Sequence, residues 1–189
     1  MLTIYLVRHG EVHNPQGIIY GRLPGYGLSE KGRQQLVQAA GILQGCGPFQ
    51  ALYTSPLQRA QESAQILGEH LGLVPATEAL IVETGLEGYQ GKPFSVLPRP
   101  YMTEEPTVPG LECASSIRGR FLEWAGTMLA RHAEGQLIAV SHRDPMAVSL
   151  LHWMGKGLDA LPEFPLDPGG VYRVRLETAA RAAQVEALG

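Results

Sequence analysis

Three short stretches of this chain place arginine and histidine where an apolar strand stops. These side chains suit the binding of an anion and the handling of a proton. The first stretch is Arg8-His9-Gly10-Glu11, directly after Leu2–Val7. The second is Ser55-Pro56-Leu57-Gln58-Arg59, after Ala51–Thr54, with Arg59 about one helical turn beyond Ser55. The third is Ser141-His142-Arg143-Asp144, closing the run Gln136–Ser141. Ligands of open α/β sheets sit beyond the carboxyl ends of the strands. A parallel arrangement of the three would therefore gather Arg8, His9, Arg59 and His142 around one cavity. Clustered cations repel one another and are costly to bury unpaired. A phosphate dianion resolves both problems, because guanidinium groups fork onto its oxygens with parallel hydrogen bonds. A neutral imidazole beside that anion is a candidate nucleophile.

The elements that must position these residues are legible as patterns. Leu2–Val7 is an apolar, β-forming run that reads as a fully buried strand. Arg8 to Gly27 holds five glycines and two prolines and reads as a long loop. Ser29 reads as a helix N-cap, followed by the stripe Leu36, Val37, Ala40, Ile42 and Leu43, with a stop at Gly45–Gly47. Ser55-Pro56-Leu57-Gln58 reads as a capping box with proline at the first helical position, opening a helix to about His70. Residues 76–111 are rich in proline and glycine and read as irregular. Ser115 to about His132 is helical, with Ile117, Phe121, Trp124 and Met128 three or four apart and destined for the core. Asp144-Pro145 reads as cap plus first helical residue, and Val171–Leu176 with Ala182–Ala187 as a final hairpin. Strands alternating with helices predict an α/β fold: a mostly parallel central sheet with helices on both faces, three αβα layers in one domain spanning 1–189.

The bulk numbers exclude other classes. The chain has 189 residues, 44 % of them hydrophobic, and a formal charge of −3. That excludes a disordered chain and a strongly basic nucleic-acid surface. No apolar run approaches the ~18 residues of a membrane span. Cys46 and Cys113 are the two cysteines. They form neither a disulfide framework nor a zinc module and fit a reducing compartment, so the expected location is cytoplasmic. His9-Gly-Glu-Val-His13 is not a zinc-protease helix, because Gly10 stands where that motif needs glutamate and Pro15 follows. Gly85 to Gly91-Lys92 is not a phosphate-binding loop, because Pro93 replaces Ser or Thr. His13, His70, His132 and His152 are read as structural or exposed.

Taken together, Leu6-Val7-Arg8-His9-Gly10-Glu11, Leu28-Ser29-Glu30-Lys31-Gly32-Arg33-Gln34, Thr54-Ser55-Pro56-Leu57-Gln58-Arg59-Ala60 and Val140-Ser141-His142 resemble the histidine phosphatase superfamily, the phosphoglycerate-mutase-like fold. The motifs agree in order and spacing to about residue 150. The resemblance implies a covalent phosphohistidine intermediate, a small phosphorylated substrate, and neither metal nor cofactor. It implies His9 as nucleophile, Arg8 and Arg59 as phosphate ligands, and His142 as the second histidine that holds the phosphate. An acidic residue in mid-chain is implied as proton donor. Glu83 aligns best, with Glu87 as second choice.

Three departures stand out. Asn14 lies six residues after Arg8, where the family usually has asparagine at seven. Arg143 replaces the usual glycine after the second histidine and is a candidate extra substrate cation. Gln90-Gly91 replaces the usual acidic-Gly pair. Tyr89, Arg99 and Tyr101 are candidates for shaping substrate choice. A phosphatase of small phosphomonoesters is the favoured reading, with a mutase and a phospho-ligand binding module as alternatives. A homodimer is compatible with the sequence.

Overall fold

The computed structural model describes residues 1–188. Strands β1 (Leu2–Arg8), β2 (Ala51–Thr54), β3 (Pro75–Thr77), β4 (Gly135–Ser141), β5 (Val171–Thr178) and β6 (Arg181–Leu188) form one sheet in the order β3-β2-β4-β1-β5-β6. The β3-β2-β4-β1 portion is parallel. β5 runs antiparallel to β1, and β6 continues it as a hairpin. The helices are α1 (Glu30–Gln44), α2 (Gln58–Leu71), α3 (Ala114–His132) and α4 (Arg143–Trp153).

Alternation along the central strands splits the core into two layers. Leu2, Ile4 and Leu6 of β1 join Leu137 and Ala139 of β4 beneath α3 and α4, with Phe121, Trp124 and Met128 fully buried there. Tyr5 and Val7 join Ile138 and Val140 beneath α1 and α2, against Leu36, Leu43, Ala64 and Leu67. Helices therefore cover both faces, as the alternation of strand and helix predicts. Fully burying one such large apolar side chain contributes about 1.5–3 kcal/mol. No helix among the described residues is long and apolar enough to cross a membrane.

Ser29 caps α1 as expected, its hydroxyl accepting from Gly32 N–H at 3.0 Å. Gly72 ends α2 in the left-handed region at φ 70°, which glycine adopts without a Cβ penalty. Two helix starts differ from expectation. α2 begins at Gln58 with Leu57 as its cap. α4 begins at Arg143 with His142 as its cap, placing Asp144 and Pro145 inside the first turn. In both cases the side chain expected to cap is engaged in tertiary contacts instead. Residues 76–111 are irregular apart from short 3-10 turns at Ala79–Ile81 and Phe94–Val96. The edge strand β3 is only three residues long and opens with proline, too little for periodicity to register. Cys46 is half-buried and Cys113 buried, both unpaired.

Candidate active site

The register of the parallel strands brings the three motifs together. Arg8, the last residue of β1, pairs with Ser141, the last of β4, and Val140 pairs with Thr54 of β2. His9 N–H donates to the Ser141 carbonyl at 3.0 Å, and Ser55 N–H to the Val140 carbonyl at 3.0 Å. His9, Ser55 and His142 thus leave the sheet at the same edge, side by side.

His9 is 2 % exposed, and its ring lies 5.0 Å from that of His142, centroid to centroid. Its Nδ1 is 2.7 Å from the Gly10 carbonyl. A carbonyl only accepts, so Nδ1 carries the proton and Nε2 carries the lone pair. Burial first, then the charge of Arg59, holds the imidazole well below its usual titration range and keeps it neutral. Arg59 Nε donates to His9 Nε2 at 3.3 Å, which fixes the ring's aim.

The carbonyl that sets this tautomer is locked in place. A Cβ on Gly10 would collide with the Gly32 carbonyl oxygen and Leu36 Cδ2, and one on Gly32 with the Glu11 backbone. Both glycines are therefore required by close approach of the loop to α1. Glu11 is tied to the same helix start by Ser29 Oγ at 2.9 Å and Lys31 Nζ at 2.8 Å. The Leu28–Gln34 motif thus anchors the segment that follows His9.

Arg59 is 1 % exposed. Its guanidinium carbon stands 4.7 Å from the centroid of Tyr20, and Nη2 donates to the Gly21 carbonyl at 2.8 Å. Arg8 donates through Nη1 to the Leu166 carbonyl at 2.6 Å, and its buried Nε has no partner. No carboxylate lies within 4 Å of the Arg8 guanidinium among the described residues.

His142 is fully buried, with Nε2 2.7 Å from Ser55 Oγ. Leu57 N–H already donates to that hydroxyl oxygen at 3.4 Å. We assign the hydroxyl hydrogen to Nε2, which puts the imidazole proton on Nδ1. Nδ1 has no hydrogen-bond partner and lies 3.7 Å from Glu83 Oε2. Burial, then the charge of Arg59, keeps this imidazole neutral as well.

Glu83 closes the cluster. Its Oε2 is also 3.7 Å from Arg59 Nη2, and Oε1 accepts from Thr84 N–H at 2.8 Å. Burial and the nearby Asp144 carboxylate raise its pKa, and Arg59 and Arg8 only partly offset them. The Glu83 backbone is held by Arg22 Nε at 2.7 Å and Arg120 Nη2 at 3.4 Å. Glu112 ties those two arginines together, taking Arg22 at 3.0 Å, Arg120 at 2.8 Å and Gly85 N–H at 2.8 Å. His9, Glu83 and His142 each offer one ligand atom within 4.8 Å of the others. The flanking guanidiniums of Arg8 and Arg59 oppose a metal cation there and favour an anion.

The structure brings together Arg8, His9, Arg59, Glu83 and His142. Arg143 lines the adjoining cavity with its charge matched by Asp144, Nη1 to Oδ1 at 3.1 Å. Glu87 is exposed and outside the cluster. The Asn14 side chain closes a turn, Nδ2 donating to the Ile18 carbonyl at 2.9 Å and Oδ1 accepting from Ile18 N–H at 3.3 Å. Tyr101 lines the cavity and donates to Asp144 Oδ1 at 2.9 Å. Sequence reading passed over Tyr20, Glu112, and Ser55 as the partner of His142. Ser55 alone carried a local signal, and its Ser-Pro context pointed to a helix cap.

The sequence profile of the histidine phosphatase superfamily (branch 1) matches residues 4–187. The chain belongs to this superfamily. An uncharacterised protein of Mycobacterium tuberculosis, Rv0525, is 34 % identical over 162 residues, covering 82 % of this chain and 80 % of that protein. A 2,3-bisphosphoglycerate-dependent phosphoglycerate mutase of Thermoplasma acidophilum is 26 % identical over 158 residues, 83 % of this chain and 78 % of the mutase. The crystal structure of a phosphoserine phosphatase mutant from Entamoeba histolytica with phosphoserine superposes at TM-score 0.80. It is 20 % identical and covers 98 % of this chain and 96 % of that one, a likeness of fold.

Proposed function

We propose that this histidine phosphatase superfamily member is a phosphomonoesterase that works through a phosphohistidine on His9 and needs no metal. One observation carries the reading. His9 is buried and neutral, its Nδ1–H is spent on the Gly10 carbonyl, and its Nε2 lone pair faces Arg59 beside His142 and Glu83. Nε2 attacks phosphorus as the ester P–O bond breaks. Glu83, whose pKa burial and the Asp144 carboxylate raise, gives its proton to the departing alkoxide. Arg8, Arg59 and the Nδ1–H of His142 meet the equatorial oxygens. The resulting Glu83 carboxylate then takes a proton from water, which attacks phosphorus, breaks the P–N bond and releases phosphate. The two unpaired cysteines agree with a reducing, cytoplasmic setting.

The test is release of inorganic phosphate from p-nitrophenyl phosphate with chelator present. Wild type is expected to turn over and His9→Ala to lose at least ~10³-fold. Equal activity would remove His9 as nucleophile. The Thermoplasma acidophilum mutase relative supports one second reading, isomerisation. Incubation with 3-phosphoglycerate separates the two, since a mutase accumulates isomer and a phosphatase accumulates free phosphate.

A further inference from the structure

Resting on the phosphatase reading, we propose that the leaving group is an uncharged apolar or aromatic alcohol, and that a carboxylate-bearing alcohol is disfavoured. Outward from Arg8 and Glu83 the site opens into a cavity of about 260 Å³. Apart from the chain at Gly21, its walls are Ile19, Tyr20, Leu86, Phe94, Leu97 and Tyr101, with Arg143 and Asp144 at one side. Those two charges neutralise each other, and Arg143 Nη2 is further committed to the Leu161 carbonyl at 3.1 Å. Tyr101 spends its hydroxyl on Asp144.

With Arg8 taken by the phosphoryl group, a second anionic group on the substrate finds no further unengaged cation in this chamber, and it meets the Asp144 carboxylate. Desolvating a carboxylate there goes uncompensated. An apolar group instead meets matching walls. Phe94 is 54 % exposed while lining this cavity, and Val96 beside it is 43 % exposed. A large apolar side chain left uncovered in the wall of a cavity marks a surface for an apolar ligand group, and the cavity that Phe94 lines opens from Arg8 and Glu83. Both lie on the short 3-10 turn of the irregular segment, so they are free of any core duty.

The experiment compares benzyl phosphate, glycerol 3-phosphate, 3-phosphoglycerate and phosphoserine. Their alcohols are similarly poor leaving groups, so kcat/KM reports recognition. Benzyl phosphate is expected to exceed both carboxylate substrates at least tenfold, on the scale of selectivity an apolar pocket supplies. In Phe94→Ala, an exposed position that leaves folding intact, the benzyl to glycerol ratio is expected to fall at least fivefold. Equal or better turnover of 3-phosphoglycerate or phosphoserine, or an unchanged ratio in Phe94→Ala, would overturn the proposal. A second arm measures binding of benzylphosphonate and phosphonoacetate to His9→Ala by calorimetry. If no ester is turned over, the phosphatase reading fails alone and this arm still decides. Tighter binding of benzylphosphonate upholds the apolar chamber, and equal or tighter phosphonoacetate refutes it.

Discussion

Removing the Ser55 hydroxyl isolates the device that sets the second histidine. Ser55 Oγ and His142 Nε2 are 2.7 Å apart, and both residues are fully buried. Ser55→Ala leaves a buried ring nitrogen without a partner, which costs about 1–3 kcal/mol of stability. For a chain of this length that lowers Tm by about 2–4 °C per kcal/mol. The kinetic effect is larger. Without the hydroxyl hydrogen, the tautomer protonated on Nε2 becomes accessible and turns a lone pair from Nδ1 toward the phosphoryl oxygens. Loss of one such donor costs about 10²–10³ in kcat, or ~2.7–4 kcal/mol. KM is expected to change far less, because Arg8 and Arg59 still bind the ground state. Steady-state kinetics on p-nitrophenyl phosphate reads the first effect. Long-range ¹H–¹⁵N spectra of the imidazoles read the second, with His142 protonated on Nδ1 in wild type and mixed in Ser55→Ala. A kcat within threefold of wild type, with His142 still protonated on Nδ1 in the variant, would refute the reasoning.

Three further outcomes follow from the same geometry. Glu83→Gln is expected to lower kcat/KM, which reports phosphohistidine formation alone, about 10²–10⁴-fold on alkyl phosphates but much less on p-nitrophenyl phosphate, whose leaving group needs little protonation; equal losses of kcat/KM on both would reject Glu83 as the acid. Glu112→Ala should release Arg22 and Arg120 from the Glu83 backbone, lowering Tm by several degrees and kcat on alkyl phosphates about tenfold, and unaltered kinetics would show that the Glu83 loop holds itself. Stability should rise with pH across the range just below the unfolded imidazole pKa of ~6.5: there the unfolded chain protonates His9 and His142 while the folded chain, which depresses both, does not. Urea unfolding at pH 5 and 7 is expected to show a smaller pH-dependent loss in His9→Asn, and an identical loss would assign the effect elsewhere.

The parts of the site nearest to local pattern were the parts legible in the sequence. β1 and β4 announce themselves as apolar runs, so the residues that follow them, Arg8, His9 and His142, could be placed at one sheet edge before any coordinates. The stripe of Ile117, Phe121, Trp124 and Met128 likewise forecast its own burial beneath α3. What escaped depends on partners distant in the chain. Ser55 and Asp144 have the local chemistry of helix caps, but Ser55 is taken by a histidine 87 residues away and Asp144 by Tyr101 and Arg143. Glu112 sits in no periodic element, and its role exists only once Arg22, Arg120 and Gly85 converge on it. Asn14, a candidate by its place after Arg8, has its amide closing the turn to Ile18, a pairing that spacing alone does not display.

The most direct measurement is the covalent state of His9 during turnover. Rapid quench under alkaline conditions, followed by peptide mass spectrometry, should find one added phosphoryl group on the peptide carrying His9. The adduct should be acid-labile, formed at the rate of turnover, and absent from His9→Ala. Phosphate release with no adduct on His9, or an adduct carried by His142 instead, would contradict the assignment.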